Sequence, residues 1–227
     1  MKKHLILLAL PLLTGMYASA QVSFGVKAGF SGANVSSRME APGIPERKAD
    51  TKMLPAFHAG LIVDLQLAEG FSLQPGLFYS AKGVKNSQAG SDSAVNTAIF
   101  ATAHLNYLEL PVNFLYKHPL GSGKLFAGFG PYLAYGIGGK VKLENAVGSE
   151  VEVDLKFKND GSVNTQEAYV KPFDAGANFI VGYELNMGLL FSVNYSLGLT
   201  NTSPYQFETE KNRYFGISVG YLFKQHK

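Results

Sequence analysis

The stretch Tyr107 to Gly136, YLELPVNFLYKHPLGSGKLFAGFGPYLAYG, decides the fold. It reads as two alternating segments joined by a short Pro/Gly turn. In the first, Leu108, Leu110, Val112, Phe114 and Tyr116 share one parity; in the second, Leu125, Ala127, Phe129, Pro131, Leu133 and Tyr135 do. The opposite parity holds Glu109, Asn113, Lys124, Gly128, Gly130 and Tyr132. Successive side chains of a strand point to opposite faces, so this is a hairpin with one apolar face and one polar or small face.

The same pattern runs outward from it through eight segments: 22–33, 54–67, 71–84, 104–117, 124–137, 173–185, 189–200 and 213–223. The connections at 68–70, 118–123 and 186–188 are tight, whereas those at 34–53, 85–103, 138–172 and 201–212 are long and polar. An antiparallel meander with short turns at one end and long loops at the other has the layout of a transmembrane barrel. The apolar parity of every segment, taken from Phe215 to Phe223 in the last, is free of charge. The other parity is Gly-rich and polar, with few apolar exceptions, among them Ile62, Phe78, Leu115, Phe126, Ile180, Leu190 and Leu222.

Two architectures fit such strands. A soluble, lipocalin-like barrel would turn the apolar face inward around a ligand and need a charged exterior to stay dissolved. Here the alternative face is small and Gly-rich, a poor solvating coat but a good filling for a narrow lumen. The expectation is therefore an all-β, eight-stranded, antiparallel up-and-down transmembrane β-barrel of Gram-negative, porin-like type. Aromatics sort to the strand ends. Phe24, Phe71, Tyr116, Tyr183, Phe191, Tyr221 and Phe223 fall toward the short turns, and Phe30, Phe57, Tyr79, Tyr135, Phe173 and Phe215 toward the long loops. Two girdles about 25 Å apart mark the interfaces of such barrels.

Composition agrees. Charged residues make up 16% of the chain and mean hydropathy is near zero. Apart from the N-terminus no apolar run is long enough for a membrane helix. Residues 1–20 read as a cleaved signal peptide: Lys2 and Lys3, an apolar run from Leu5 to Leu13, then Ala18-Ser19-Ala20 before Gln21. Residues 21–227 are then the barrel domain, with both termini in the periplasm. Losing Lys2 and Lys3 takes the basic count from 20 to 18 against 17 acidic residues, a balance with no pull toward nucleic acid. There is no cysteine, so no disulfide supports the exported chain.

At YLELP (107–111), GPYLAYG (130–136), FDAGANFIVGYEL (173–185) and YSLGLTN (195–201), with the Gly-rich opening FGVKAGFSGANVS (24–36), the chain resembles the PorT-like family of bacterial outer-membrane barrel proteins. The resemblance implies an eight-stranded outer-membrane barrel without enzymatic activity; the family's namesake is linked to protein secretion and gliding. The last strand, Tyr214 to Phe223, also resembles the C-terminal signal read by the barrel-assembly machinery, although Lys-Gln-His-Lys follows it.

No catalytic, cofactor or metal constellation is written in the sequence. The histidines are scattered, and His58 is the only one of inward parity within a strand. The inward charges Lys27, Asp64, Lys82, Glu109, Lys124, Asp174 and Glu184 must be paired if buried. Counting register from the 68–70 turn pairs Lys27 with Asp64; Lys82 reaches Glu109, and Lys124 reaches Glu184. Such a network either fills the lumen as a plug or lines an ion path, and eight strands favour the plug. In the loop 138–172, Val151 to Lys158 alternates strictly and should extend a hairpin beyond the membrane. The partners expected are outer-membrane lipid, the assembly machinery during insertion, and a protein at loop 138–172. The role expected is structural or partner-binding, with a small-molecule channel or transporter as the alternative and a soluble ligand-binding barrel third.

Overall fold

The computed structural model describes residues 21–49, 51–92, 97–145, 148–161 and 167–223. The expected signal peptide and the residues after Phe223 lie outside these. Twelve strands are formed: β1 (Val22–Ala41), β2 (Ile44–Lys48), β3 (Thr51–Lys52), β4 (Leu54–Ala68), β5 (Phe71–Asp92), β6 (Thr97–Leu120), β7 (Gly123–Asn145), β8 (Glu150–Phe157), β9 (Ala168–Val170), β10 (Phe173–Leu185), β11 (Leu189–Gly198) and β12 (Glu208–Phe223). Eight of them make a closed ring in the order β1, β4, β5, β6, β7, β10, β11, β12, with β12 pairing back to β1, every pair antiparallel. Each alternating segment read from the sequence falls on one of these eight, the seventh running two residues past the end of β11.

Parity sorts the side chains as the alternation demands. Phe30, Leu61 and Phe129 are 75%, 60% and 62% exposed on the outside of the ring. Inward neighbours such as Ile62 and Asn178 are buried. An aliphatic and aromatic exterior around a sealed polar interior is inverted for water and right for lipid. This rules out the lipocalin-like alternative. The aromatic girdles assemble by cross-strand pairing. Phe24 lies opposite Phe223, Phe71 opposite Tyr116, and Tyr183 opposite Phe191 at the short-turn end. Phe30 faces Phe57 and Phe173 faces Tyr135 at the other, where Phe57 also stacks on Tyr79 at 5.5 Å. Phe215 lies opposite Tyr195 and Tyr221 opposite Val26.

Two sequence expectations need correction. The stretches 34–53 and 85–103 are strand over most of their described length, so β5 and β6 run for 22 and 24 residues. A strand crosses the membrane in about 9–11 residues, so both stand well above it. The second correction is the β1–β4 register. Lys27 lies opposite Gly60, and Asp64 opposite Ser23. Lys27 and Asp64 are therefore four residues out of step, about 13 Å along the strand. The 68–70 turn joins β4 to β5 and has no hold on β1. What sets this register is the turn at Pro42-Gly43, where Gly43 adopts φ 77° and lets β1 fold onto β2 with Ala41 opposite Ile44.

The ring is not uniformly laced. Paired residues lapse between Ile62–Gly76 and Leu65–Leu73, between Pro75–Val112 and Phe78–Glu109, and between Pro111–Tyr132 and Phe114–Phe129. Pro75, Pro111 and Pro131 occupy or border these lapses on the adjacent strands β5, β6 and β7, and proline has no N–H to give a ladder. Register continues unchanged across each gap. The pairing of β1 with β12, by contrast, runs unbroken from Phe24–Phe223 to Met39–Glu208.

Candidate functional site

The lumen is filled in layers. At the short-turn end a vestibule of about 720 Å³ is bordered by Ser23, Glu69 and Lys124. Its inner end is an ion-pair cluster: Lys117 Nζ donates to Asp64 Oδ2 at 2.8 Å and to Glu184 Oε2 at 2.9 Å, and Gln74 donates to the same Asp64 oxygen at 3.0 Å. Lys124 stands opposite Glu184 in register but is only half-buried at the vestibule wall, and the buried cation that meets Glu184 is Lys117. Lys117 was missing from the sequence reading because it sits against the turn. The signal was there, since it continues the inward parity of Glu109, Asn113 and Leu115.

Above this cluster, seven apolar residues of the inward face come together. Ile62, Phe78, Leu115, Phe126, Ile180, Leu190 and Leu222, one or more from each strand of the ring except β1, pack into one buried layer. Apolar side chains interdigitated across a narrow barrel leave no aqueous path through this level.

Next comes a cavity of about 30 Å³ lined by Lys27, His58, Asn113, Asn178 and Asn194 among others, with room for a water molecule. Lys27 is 8% exposed, and its ammonium sits 6.0 Å from the centre of the Phe78 ring. Among the described residues no carboxylate lies within ion-pair distance of it. His58 Nε2 and Ser218 Oγ are 2.8 Å apart, and the Ser218 hydroxyl donates to Asn194 Oδ1 at 3.3 Å. Ser218 thus stands between the imidazole and the Asn194 amide.

The fourth level is a caged lysine. Lys82 on β5 reaches Glu109 Oε2 on β6 at 2.8 Å and Asp174 Oδ2 on β10 at 3.1 Å. Lys82 and both acids are at most 3% exposed in their side chains. Its ammonium lies 4.4, 5.1 and 5.6 Å from the ring centres of Tyr132, Tyr107 and Tyr214, within cation–π range. Tyr214 donates to Glu109 at 3.0 Å, and Asn212 and Thr200 donate to Asp174 at 3.0 and 3.1 Å. A buried charge set of this kind is tolerable because each acid is bonded from more than one side. The link spans the lumen, because β5 and β10 are not neighbours in the ring.

The long-loop mouth is closed from above. β8 pairs with β7 from Lys140–Asp154 to Glu144–Glu150, as its alternation predicts, but it does not simply stand up from the membrane. Leu155 and Val170 fold inward onto Leu105, Tyr107, Tyr132 and Ala134, with Phe157 packed against them. The Phe157 ring fills the space over Gly136, where any Cβ would lie 2.2 Å from it. A side chain at this position would push the Phe157 ring aside. Alternation along β8 revealed that one face is apolar; what that face covers was not readable from it.

A closed, lipid-coated ring of eight strands with a filled polar lumen defines an outer-membrane β-barrel. The chain belongs to the outer membrane protein beta-barrel domain family, whose model matches residues 17–203. The protein is accordingly placed in the outer membrane. Among solved structures it is similar to the outer membrane protein OprG from Pseudomonas aeruginosa (14% identity, TM-score 0.47, 89% of this chain and 96% of that one). It is also similar to Neisserial surface protein A (13%, 0.42, 90% and 99%). A third is Ail, the attachment invasion locus protein of Yersinia pestis (13%, 0.38, 89% and 99%). No curated protein matches the chain.

Proposed function

We propose that this protein is a non-conducting, non-enzymatic barrel that serves as a membrane-held scaffold and works through partners at its extracellular wall. One observation carries the reading: the lumen is interrupted in succession by the apolar layer, the Lys82 cage and the β8–β9 cap. Each alone would stop a hydrated solute. The long strands β5, β6 and β7 with the added β8 build a raised sheet, and that sheet is the surface left for contact. The resemblance of YLELP and GPYLAYG to the PorT-like family favours the same reading, as does the loop 138–172 as the contact region.

The experiment is conductance in planar bilayers together with cross-linking from intact cells. The expected outcome is current no greater than that of a protein-free bilayer, and a specific cross-linked partner through positions on β8. Discrete single-channel steps would overturn the closed-lumen reading and return the channel alternative.

A further inference from the structure

We propose that the lumen cavity is a water-binding site, through which Lys27 joins the Lys82 cage by way of Glu109. Three buried atoms of residues on the cavity wall have no hydrogen-bond partner among the described residues: His58 Nδ1, Asn113 Oδ1 and Glu109 Oε2. Lys82 lies 2.8 Å from that Glu109 oxygen as an ion pair, without the alignment of a hydrogen bond. Lys27 lines the same cavity, buried and with no carboxylate at ion-pair distance among the described residues. It stands between Gly25 and Gly29 on the inward face of β1, the ring strand that gives nothing to the apolar layer.

Hydrogen-bond chemistry selects the ligand. A rotated amide or a changed tautomer would alter what Asn113 and His58 require, but the Lys27 ammonium can only donate and the Glu109 carboxylate can only accept. A halide would satisfy Lys27 and be repelled by Glu109; a metal ion or an amine would do the reverse. A neutral guest that both accepts and donates fits the two together, and a volume of about 30 Å³ holds water and little more. Charge closes the network. Lys82 against Glu109 and Asp174 leaves the cage with an excess of one negative charge, and Lys27 cancels it, as buried charges require. The wall calls for water as well. Gln74, Gly76, Pro111 and Asn113 line the cavity, and each falls within one of the three lapses in strand pairing. Backbone groups that lose a cross-strand partner find none in hydrocarbon, whereas lumen water can bond to them.

The test uses the full barrel folded into liposomes. In a double-mutant cycle, Lys27→Met and Glu109→Gln should be coupled by about tenfold in the unfolding equilibrium constant, or about 1.4 kcal/mol. Simple additivity overturns the proposal. Where Glu109→Gln folds too poorly to titrate, the unaltered protein decides. Proton-detected solid-state NMR with nitrogen-labelled lysine should show the Lys27 ammonium in contact with water, the signal being assigned by its loss in Lys27→Met. A missing water contact, even beside coupling in the cycle, overturns the bridge in favour of direct attraction. Replacing chloride with gluconate at constant ionic strength should leave stability unchanged. A stability that follows halide concentration overturns water in favour of a bound anion. The site rests on the closed lumen, and the two fail separately: channel steps would open the lumen, whereas a dry or uncoupled Lys27 would leave the barrel shut.

Discussion

Replacing Lys82 with methionine probes the lumen at its most constrained point. The substitution conserves length and apolar volume but strands the Glu109 and Asp174 carboxylates, whose side chains are 3% and 0% exposed. Removing one member of a buried ion pair costs about 3–5 kcal/mol, because the other charge is left without compensation. The aromatic contacts with Tyr107, Tyr132 and Tyr214 add about 2 kcal/mol when a desolvated cation is lost. The expected loss for Lys82→Met is thus about 5–7 kcal/mol. The triple variant Lys82→Met, Glu109→Gln, Asp174→Asn removes the stranded charges and should recover more than half of it. Both are measured by urea unfolding of the barrel folded into liposomes, or by refolding yield where the single variant folds too poorly to titrate. A single-variant loss below about 1 kcal/mol, or a triple variant no better than the single one, would refute the argument that these charges are dry and mutually dependent.

Double-mutant cycles should show coupling between Lys117 and Asp64, which touch, and simple additivity between Lys27 and Asp64, which do not; coupling in the second cycle would contradict the β1–β4 register. On the lipid face, Val193→Arg should destabilise the barrel by about 2–4 kcal/mol. Asn194→Ser, one residue on and inward, should cost far less, and equal losses would break the inside–outside assignment. Glu210 lies beyond the membrane, and its carboxyl is pushed up to about 7, first by burial and then by Glu208. A carboxyl with a raised folded pKa favours the folded form while it stays protonated. The contacts it holds, Thr202 donating to its carbonyl at 2.9 Å and its own N–H donating to Asn201, should therefore be firmest near pH 4.5 and loosen as pH climbs toward 7. Hydrogen exchange over residues 201–210 reads this, and Glu210→Gln should flatten the dependence.

What the sequence made legible follows from what alternation encodes. Parity alone placed every barrel strand and separated Phe129 from Gly128, and seven of the apolar residues that broke the polar parity became the layer that seals the lumen. Alternation has period two, so it says nothing of an even shift between strands. The Lys27–Asp64 pairing failed for that reason: the turn that fixes β1 against β4 lies at Pro42-Gly43, in a stretch polar enough to pass for loop. Lys82 and Glu109 could be paired because β5 and β6 run side by side through the membrane. Asp174 could not be joined to them, since it arrives across the lumen from β10, and contact through the middle of a ring leaves no trace in local pattern. The inward fold of Leu155 and Phe157 was hidden for the same reason.

The prolines of β5, β6 and β7 give the wall a grain. A cylinder under lateral squeeze from the bilayer yields along its thinnest arc, and here that arc belongs to the middle of the chain. The junction of the first and last strands carries sixteen consecutive pairs, from Phe24–Phe223 to Met39–Glu208. Chain ends are where a ring must be fastened, and the fastening is the longest unbroken seam of the hoop. Once closed, this barrel should breathe by ovalising about Pro75, Pro111 and Pro131 rather than by unzipping where it was shut.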